Sequence, residues 1–223
     1  MAEILTGTIL NVGPDGVTVR VPYGDWERLT DRHYNTVRVE FPDARQRTAD
    51  QLKKAWAIMA DMAVYTGGDK ETDVYRPLAA DFANRVQKTL QKELFHLSTA
   101  SVTEARDFIS FLLDTCLEME IPLSQPAADL TDDIQHYVYS CTVNRKCAVC
   151  GKRADLHHVD AVGMGRNRQE ITHTGMRALP LCREHHQEAH TIGNAPFMAR
   201  YHLEPITIDE KIAEKLKLGR RNA

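Results

Sequence analysis

No apolar run in this chain approaches the roughly 20 residues that a membrane-spanning helix needs, which excludes a helical membrane protein. The start, MAEILTGTIL, lacks the basic leader and long apolar centre of a signal peptide, so a cytoplasmic location is expected. Positive charge is not in surplus: 28 Lys plus Arg stand against 31 Asp plus Glu, and the net charge of -3 argues against a uniformly basic nucleic-acid binder. There is no internal repeat and no low-complexity tract. Cysteine is scarce, five residues in 223, and in the cytoplasm those are not expected to pair as disulfides. Clustered thiols then point to metal binding.

What is present is the composition of a globular protein, 43% hydrophobic and 26% charged, long enough for one or two domains with real cores. Charge is unevenly placed. Residues 141–223 carry 14 Lys plus Arg against 9 Asp plus Glu, and residues 1–140 carry 14 against 22. A basic end on an acidic body suits local phosphate contact, although such a surplus is also found on ordinary solvated faces.

The first forty residues alternate as strands do: ILTGTILNV, GVTVRVP and TVRVEF carry β-branched residues at period two, with PDG as a turn. A small antiparallel sheet is expected. Thr48, with Gln51 three positions on, predicts a capped helix that buries Leu52, Ala55, Trp56, Met59 and Met62 and ends at Gly67. After Pro77, a second helix is expected from Leu78, Phe82, Val86, Leu90 and Leu94. A third opens at Ser101 with Glu104, buries Val102, Ala105, Phe108, Ile109, Leu112, Leu113 and Cys116, and stops near Pro122. The stretch PLSQPAADLTDD reads as a linker, placing a domain boundary near residue 130, with a short helix near Ile134 to Tyr139. TIDEKIAEKLKL predicts a last capped helix. The fold class expected is α+β, with an α+β domain (a small antiparallel sheet with helices) over residues 1–130 and a smaller module ending in a helix over 131–223.

Chemistry concentrates between residues 147 and 190, where three cysteines share one stretch with six of the ten histidines. Cys147 and Cys150 have knuckle spacing, Cys182 and His185 repeat it, and together they make a tetrahedral set for structural zinc. Gly151 permits the tight turn after the second cysteine. A site of this kind contributes on the order of 10 kcal/mol to folding. His186 and His190 are four apart and share a face of a helix, so they can share one ion. His185 points about 100° away, toward the zinc. His157, from a facing strand, can supply a third ligand and leave open positions, as catalytic sites do. His158 can then serve as general base.

The order CxxC, HH, CxxHHxxxH resembles the HNH nucleases, in which a β-hairpin and a helix grip one divalent ion, and is most similar to the colicin-type variant. LHHVDAVGMGRNR through ALPLCREHHQEAHTIG is similar to HNH nucleases encoded by bacteriophages, over roughly residues 145–205. The resemblance implies a zinc-stapled ββα-metal module that cuts DNA phosphodiester bonds, with zinc across CAVC and CREH. It implies that His157, His186 and His190 hold one catalytic divalent ion (Mg2+, Mn2+, Ni2+ or Zn2+) and that His158 is the base. One departure stands out. The family's middle asparagine is missing: counting back from His186 reaches Arg177 and Met176, leaving His173 or Asn167 as substitutes. Residues 37–125 resemble the bacteriophage Orf/NinB recombination mediators, dimers that bind single-stranded DNA and the host single-strand-binding protein.

The expectation is a phage recombination nuclease in the host cytoplasm, acting on branched or single-stranded DNA, with a homodimer and a single-strand-binding protein as implied partners. Arg166, Arg168, Arg177 and Arg183 are candidate phosphate clamps. The competing reading is a zinc-containing binding protein that cuts nothing. It would need Cys147, Cys150, Cys182 and His185, but has no use for the other histidines.

Overall fold

In the computed structural model, which describes residues 5, 7–24, 27, 39, 45–86, 95–160 and 173–218, the alternating start of the chain forms an antiparallel hairpin. Strand β1 (Thr8–Gly13) pairs with β2 (Gly16–Arg20), from Thr8 opposite Arg20 to Gly13 opposite Gly16, with the register shifting between Ile9 and Asn11. Pro14 and Asp15 make the turn, and Gly16 leaves it at φ 139°, where a side chain would be strained. The third expected strand, residues 36–41, lies outside the described residues except for Val39, which is not in a strand. The hairpin belongs to a first compact unit, Met1–Pro42. Asp43–Ala223 forms the second.

The second unit begins with helices whose ends are written locally. Helix α1 (Ala49–Thr66) is capped reciprocally: the Gln51 N–H donates to Thr48 Oγ1 at 3.1 Å, and the Thr48 N–H to Gln51 Oε1 at 3.0 Å. It ends at Gly67, φ 72°. Ser101 and Glu104 cap α3 (Val102–Glu118) in the same way. Between them, α2 (Arg76–Val86) continues from a π-helical turn, Lys70–Tyr75. This helical run starts before Pro77, because the Asp69 carboxylate caps it by accepting from the Glu71 and Thr72 N–H groups. Leu90 and Leu94 lie outside the described residues. Phe82, Phe95 and Phe108 meet with ring centroids within 5.2 Å and are buried beside Ile58, Met59 and Leu112. Each such side chain, fully buried, contributes roughly 1.5–3 kcal/mol.

The proline-rich stretch after α3 is packed. Ile121 and Leu130 are buried, the latter closing a single turn, α4 (Ala127–Leu130). The Ser124 N–H donates to Asp61 at 2.8 Å, and Lys54 donates to Asp132 at 2.7 Å, fastening this stretch to α1. Residue 130 therefore lies inside the second unit, where one buried cluster continues from Phe108 through Tyr137, Val138 and Cys141 to Cys147 and Leu181. Helix α5 (Ile134–Val143) is capped by Asp133 and extends past Tyr139 because Cys141 and Thr142 are also buried.

Beyond it lies a three-stranded antiparallel sheet, ordered β3 (Asp155–His158), β4 (Arg177–Leu181), β5 (Ile206–Thr207). His157 stands opposite Leu179, and His158 opposite Ala178. Helix α6 (Arg183–Ile192) follows β4 directly, and α7 (Asn194–Tyr201) follows α6 after Gly193 alone. The expected last helix is α8 (Glu210–Leu216), capped by Asp209. Among the described residues no helix is long and apolar enough to cross a membrane. The architecture is mixed α+β, with small antiparallel sheets and helices.

Candidate functional site

Two groups of side chains that could each hold a metal ion meet on α6. The first is Cys147, Cys150, Cys182 and His185, whose donor atoms lie within 4.8 Å of one another. The loop holding the first two closes when the Gly151 N–H donates to Cys147 O at 2.8 Å, with Gly151 at φ 70°, the left-handed turn expected of a glycine there. The Ala148 N–H donates to Pro180 O at 3.0 Å, tying the loop to β4, and the buried Tyr137 hydroxyl donates to Ala148 O. Cys182 is the N-cap residue of α6, and His185 lies in its first turn, stacked edge-on against Tyr201 of α7.

The spacing fits zinc. With Zn–S about 2.3 Å and Zn–N about 2.0–2.1 Å, a tetrahedron has S–S edges of about 3.8 Å and S–N edges of about 3.6 Å. Cys150 Sγ lies 3.7 Å from Cys182 Sγ, and His185 Nδ1 lies 3.5 Å and 3.2 Å from the Cys147 and Cys182 sulfurs. Burial pushes the Cys147 thiol up to about 12. Burial also raises Cys182, but backbone N–H groups at the start of α6 and the neighbouring thiols outweigh it and leave that thiol below its usual value.

The second group is His157, His186 and His190, again with donor atoms within 4.8 Å. Their ring centroids form a nearly equilateral triangle of 4.7, 4.8 and 4.9 Å. His186 and His190 are one helical turn apart on α6, and His157 faces them from β3, as the spacing predicts. His157 is only 2% exposed, its Nε2 lies 2.8 Å from Asn194 Oδ1, and its Nδ1 is buried without a hydrogen-bond partner. A buried imidazole nitrogen without a partner is unusual, and a metal ion would satisfy it. Burial holds His157 below its usual range, opposed by the bond to Asn194 and reinforced by His190, which favours the neutral ring that a ligand must present.

His158, next in the strand, points elsewhere, as strand alternation requires. Its Nε2 lies 2.9 Å from Nδ1 of His173, which is buried. The two residues considered together at the site of the missing asparagine thus separate: His173 contacts His158, whereas Asn167 lies outside the described residues. Among the arginines, Arg166 and Arg168 also lie outside them. Arg183 is exposed on the first turn of α6. Arg177 is held by Asp160, donating from Nη2 at 2.7 Å and Nε at 3.1 Å to Oδ1 and from its backbone N–H at 2.8 Å to Oδ2. These bonds pull the Asp160 carboxyl below the ordinary carboxylate range. Arg177 is therefore paired with Asp160 at the surface.

Sequence reasoning did not single out Asn194. Its one local signal is the Gly-Asn pair just after HxxxH, which places a polar side chain at the start of a new helix.

No curated protein and no solved structure matches the chain. A family model described as "Putative HNHc nuclease" matches residues 25–219, taking in the helices α1 to α5 together with both ligand clusters. With most of its length matched, the chain belongs to this family of HNH nucleases.

Proposed function

We propose that β3, β4 and α6 act as a ββα-metal module that hydrolyses DNA phosphodiester bonds. The reading rests above all on the three-histidine cluster, whose buried His157 Nδ1 lacks a partner and which is separate from the Cys147, Cys150, Cys182 and His185 group that fits zinc. A binding module stapled by zinc has no need of the second cluster. His157, His186 and His190 would hold a divalent ion, which when bound would supply Lewis-acid stabilisation of the charge that develops on the phosphate.

The protein's own part in the reaction falls to His158. His158 takes a proton from water as the oxygen–phosphorus bond forms and the bond to the 3′ oxygen breaks, its ring oriented by the 2.9 Å contact of Nε2 with His173 Nδ1. His173 thus holds the base, in place of the family's asparagine. Arg183 and the basic residues Arg166 and Arg168 contact backbone phosphates. The likeness of residues 37–125 to recombination mediators makes branched and single-stranded DNA the first substrates to try, in a phage recombination setting with a single-strand-binding protein as partner.

The test is cleavage of plasmid, branched and single-stranded DNA with Mg2+, Mn2+ or Ni2+, comparing the intact protein with His158→Ala. Cleavage is expected to require a divalent ion and to fall by about 10²–10⁴ in the variant. Unchanged cleavage by His158→Ala would remove the assignment of the base. No cleavage with any metal would favour a zinc-containing binding protein.

A further inference from the structure

We infer that Asn194 is a positioning residue of the three-histidine site, holding His157 so that Nδ1 faces His186 and His190. This rests on the metal-site reading above, which it deepens.

The hydrogen bonds around the Asn194 amide determine its orientation. Its Nδ2 lies 3.1 Å from Val159 O, and a carbonyl oxygen only accepts, so the NH2 group must be on that side. Oδ1 therefore faces His157 Nε2 at 2.8 Å. As Oδ1 can only accept, Nε2 must carry the proton. The lone pair of His157 is thereby assigned to Nδ1, the buried nitrogen that has no hydrogen-bond partner. The rings of His186 and His190 stand 4.7 and 4.9 Å from the His157 ring. One amide thus selects the ligating tautomer and fixes the plane of the ring.

The backbone explains how a residue outside the HxxxH pattern reaches this place. Gly193 ends α6 at φ 88° and ψ 154°, with its N–H donating to Ala189 O, and Asn194 begins α7 immediately afterwards. That reversal brings Asn194 back beside the end of β3, where its second bond holds the carbonyl of Val159, the residue after His158. Partners of this sort, bonded to the far nitrogen of a ligating histidine, typically alter metal affinity by about 10–100-fold when removed.

The experiment uses the full chain with its zinc retained and compares wild type, Asn194→Ala, Asn194→Asp and His190→Ala. Calorimetric titration with Ni2+ reads affinity at the second site, metal analysis reads zinc content, and imidazole ¹⁵N spectra without added Ni2+ read the His157 tautomer. Asn194→Ala is expected to bind Ni2+ about 10–100-fold more weakly than wild type, with zinc content unchanged and His157 no longer held as the Nε2–H form. Asn194→Asp keeps the acceptor for His157 and is expected to recover the tautomer and most of the affinity, although it loses the bond to Val159. The aspartate variant also guards against a folding defect in the alanine one.

Wild-type affinity and an unchanged tautomer in Asn194→Ala would overturn the inference and leave the metal site standing. Ni2+ binding by wild type that His190→Ala does not weaken would overturn the metal-site reading, and the inference with it.

Discussion

Replacing Cys182 by serine tests the zinc set with little other disturbance. Cys182 makes no side-chain capping hydrogen bond to α6, and serine is a favoured N-cap residue, so the start of the helix is not weakened while one metal ligand is lost. Zinc sites of this type are worth about 10–16 kcal/mol at neutral pH, so one ligand in four corresponds to roughly 3–4 kcal/mol. That is a large part of the total stability of about 5–15 kcal/mol expected of a domain. For a unit of this size each kcal/mol moves the melting temperature by about 2–4 °C, which predicts a fall of roughly 6–16 °C. The loss should not be confined to the loop, because Cys147, Ala148 and Leu181 belong to the same buried cluster as Phe108 and Tyr137. Calorimetry with and without chelator, paired with metal analysis, makes the measurement. The wild-type protein should carry zinc and lose stability to chelator, and Cys182→Ser should melt lower at the outset and give up its zinc at a lower chelator concentration. A variant that melts like wild type, or a wild-type protein that neither contains zinc nor responds to chelator, would refute the reasoning.

His190→Ala should abolish binding of the second divalent ion while changing stability by no more than about 0.5 kcal/mol, since the side chain is exposed; DNA-independent metal titration and thermal melting check both halves. Asp114→Asn should lower the His136 pKa, which the 2.8 Å hydrogen bond to Asp114 holds above its usual value against the effect of partial burial, as an NMR titration would show. Because the folded value is the higher one, the stabilisation is fully present below the unfolded pKa of about 6.5 and is lost as pH rises through the folded value; at this exposure it amounts to no more than about 1 kcal/mol.

Features carried by short-range chemistry were legible in the sequence. The caps at Thr48 and Ser101 need only a side chain and a backbone group three residues apart, and both formed. The two CxxC-like pairs and HxxxH are likewise short, with spacings set by turn and helix geometry, and the structure brings each set together. Tertiary bonds were not legible. The stretch 122–133 has a linker's composition, yet it is fixed by Asp61 and Lys54, more than sixty residues away in sequence. The contact between Asn194 and His157 spans 37 residues and depends on the backbone angle of Gly193, which no side-chain pattern announces. Strand alternation says that His157 and His158 diverge, but only the packing of β3 against α6 tells which of them faces the helix.

Why two ligand sets should share the adjacent residues His185 and His186 follows from what each set must withstand. A site meant to admit phosphate keeps coordination positions open, so its protein ligands are few and cannot by themselves fix the elements that carry them. Here the elements are fixed by other means. Cys182 and His185 anchor the first turn of α6 to the loop of Cys147 and Cys150, and that loop is bonded to β4 through Pro180. Strand β4 in turn sets the register of β3, and hence the place of His157. The dependence is expected to run one way, the zinc set forming without the three histidines and the histidines losing their common geometry without it. Loss of zinc should therefore weaken the second site although none of its ligands has changed, and loss of His190 should leave the zinc in place.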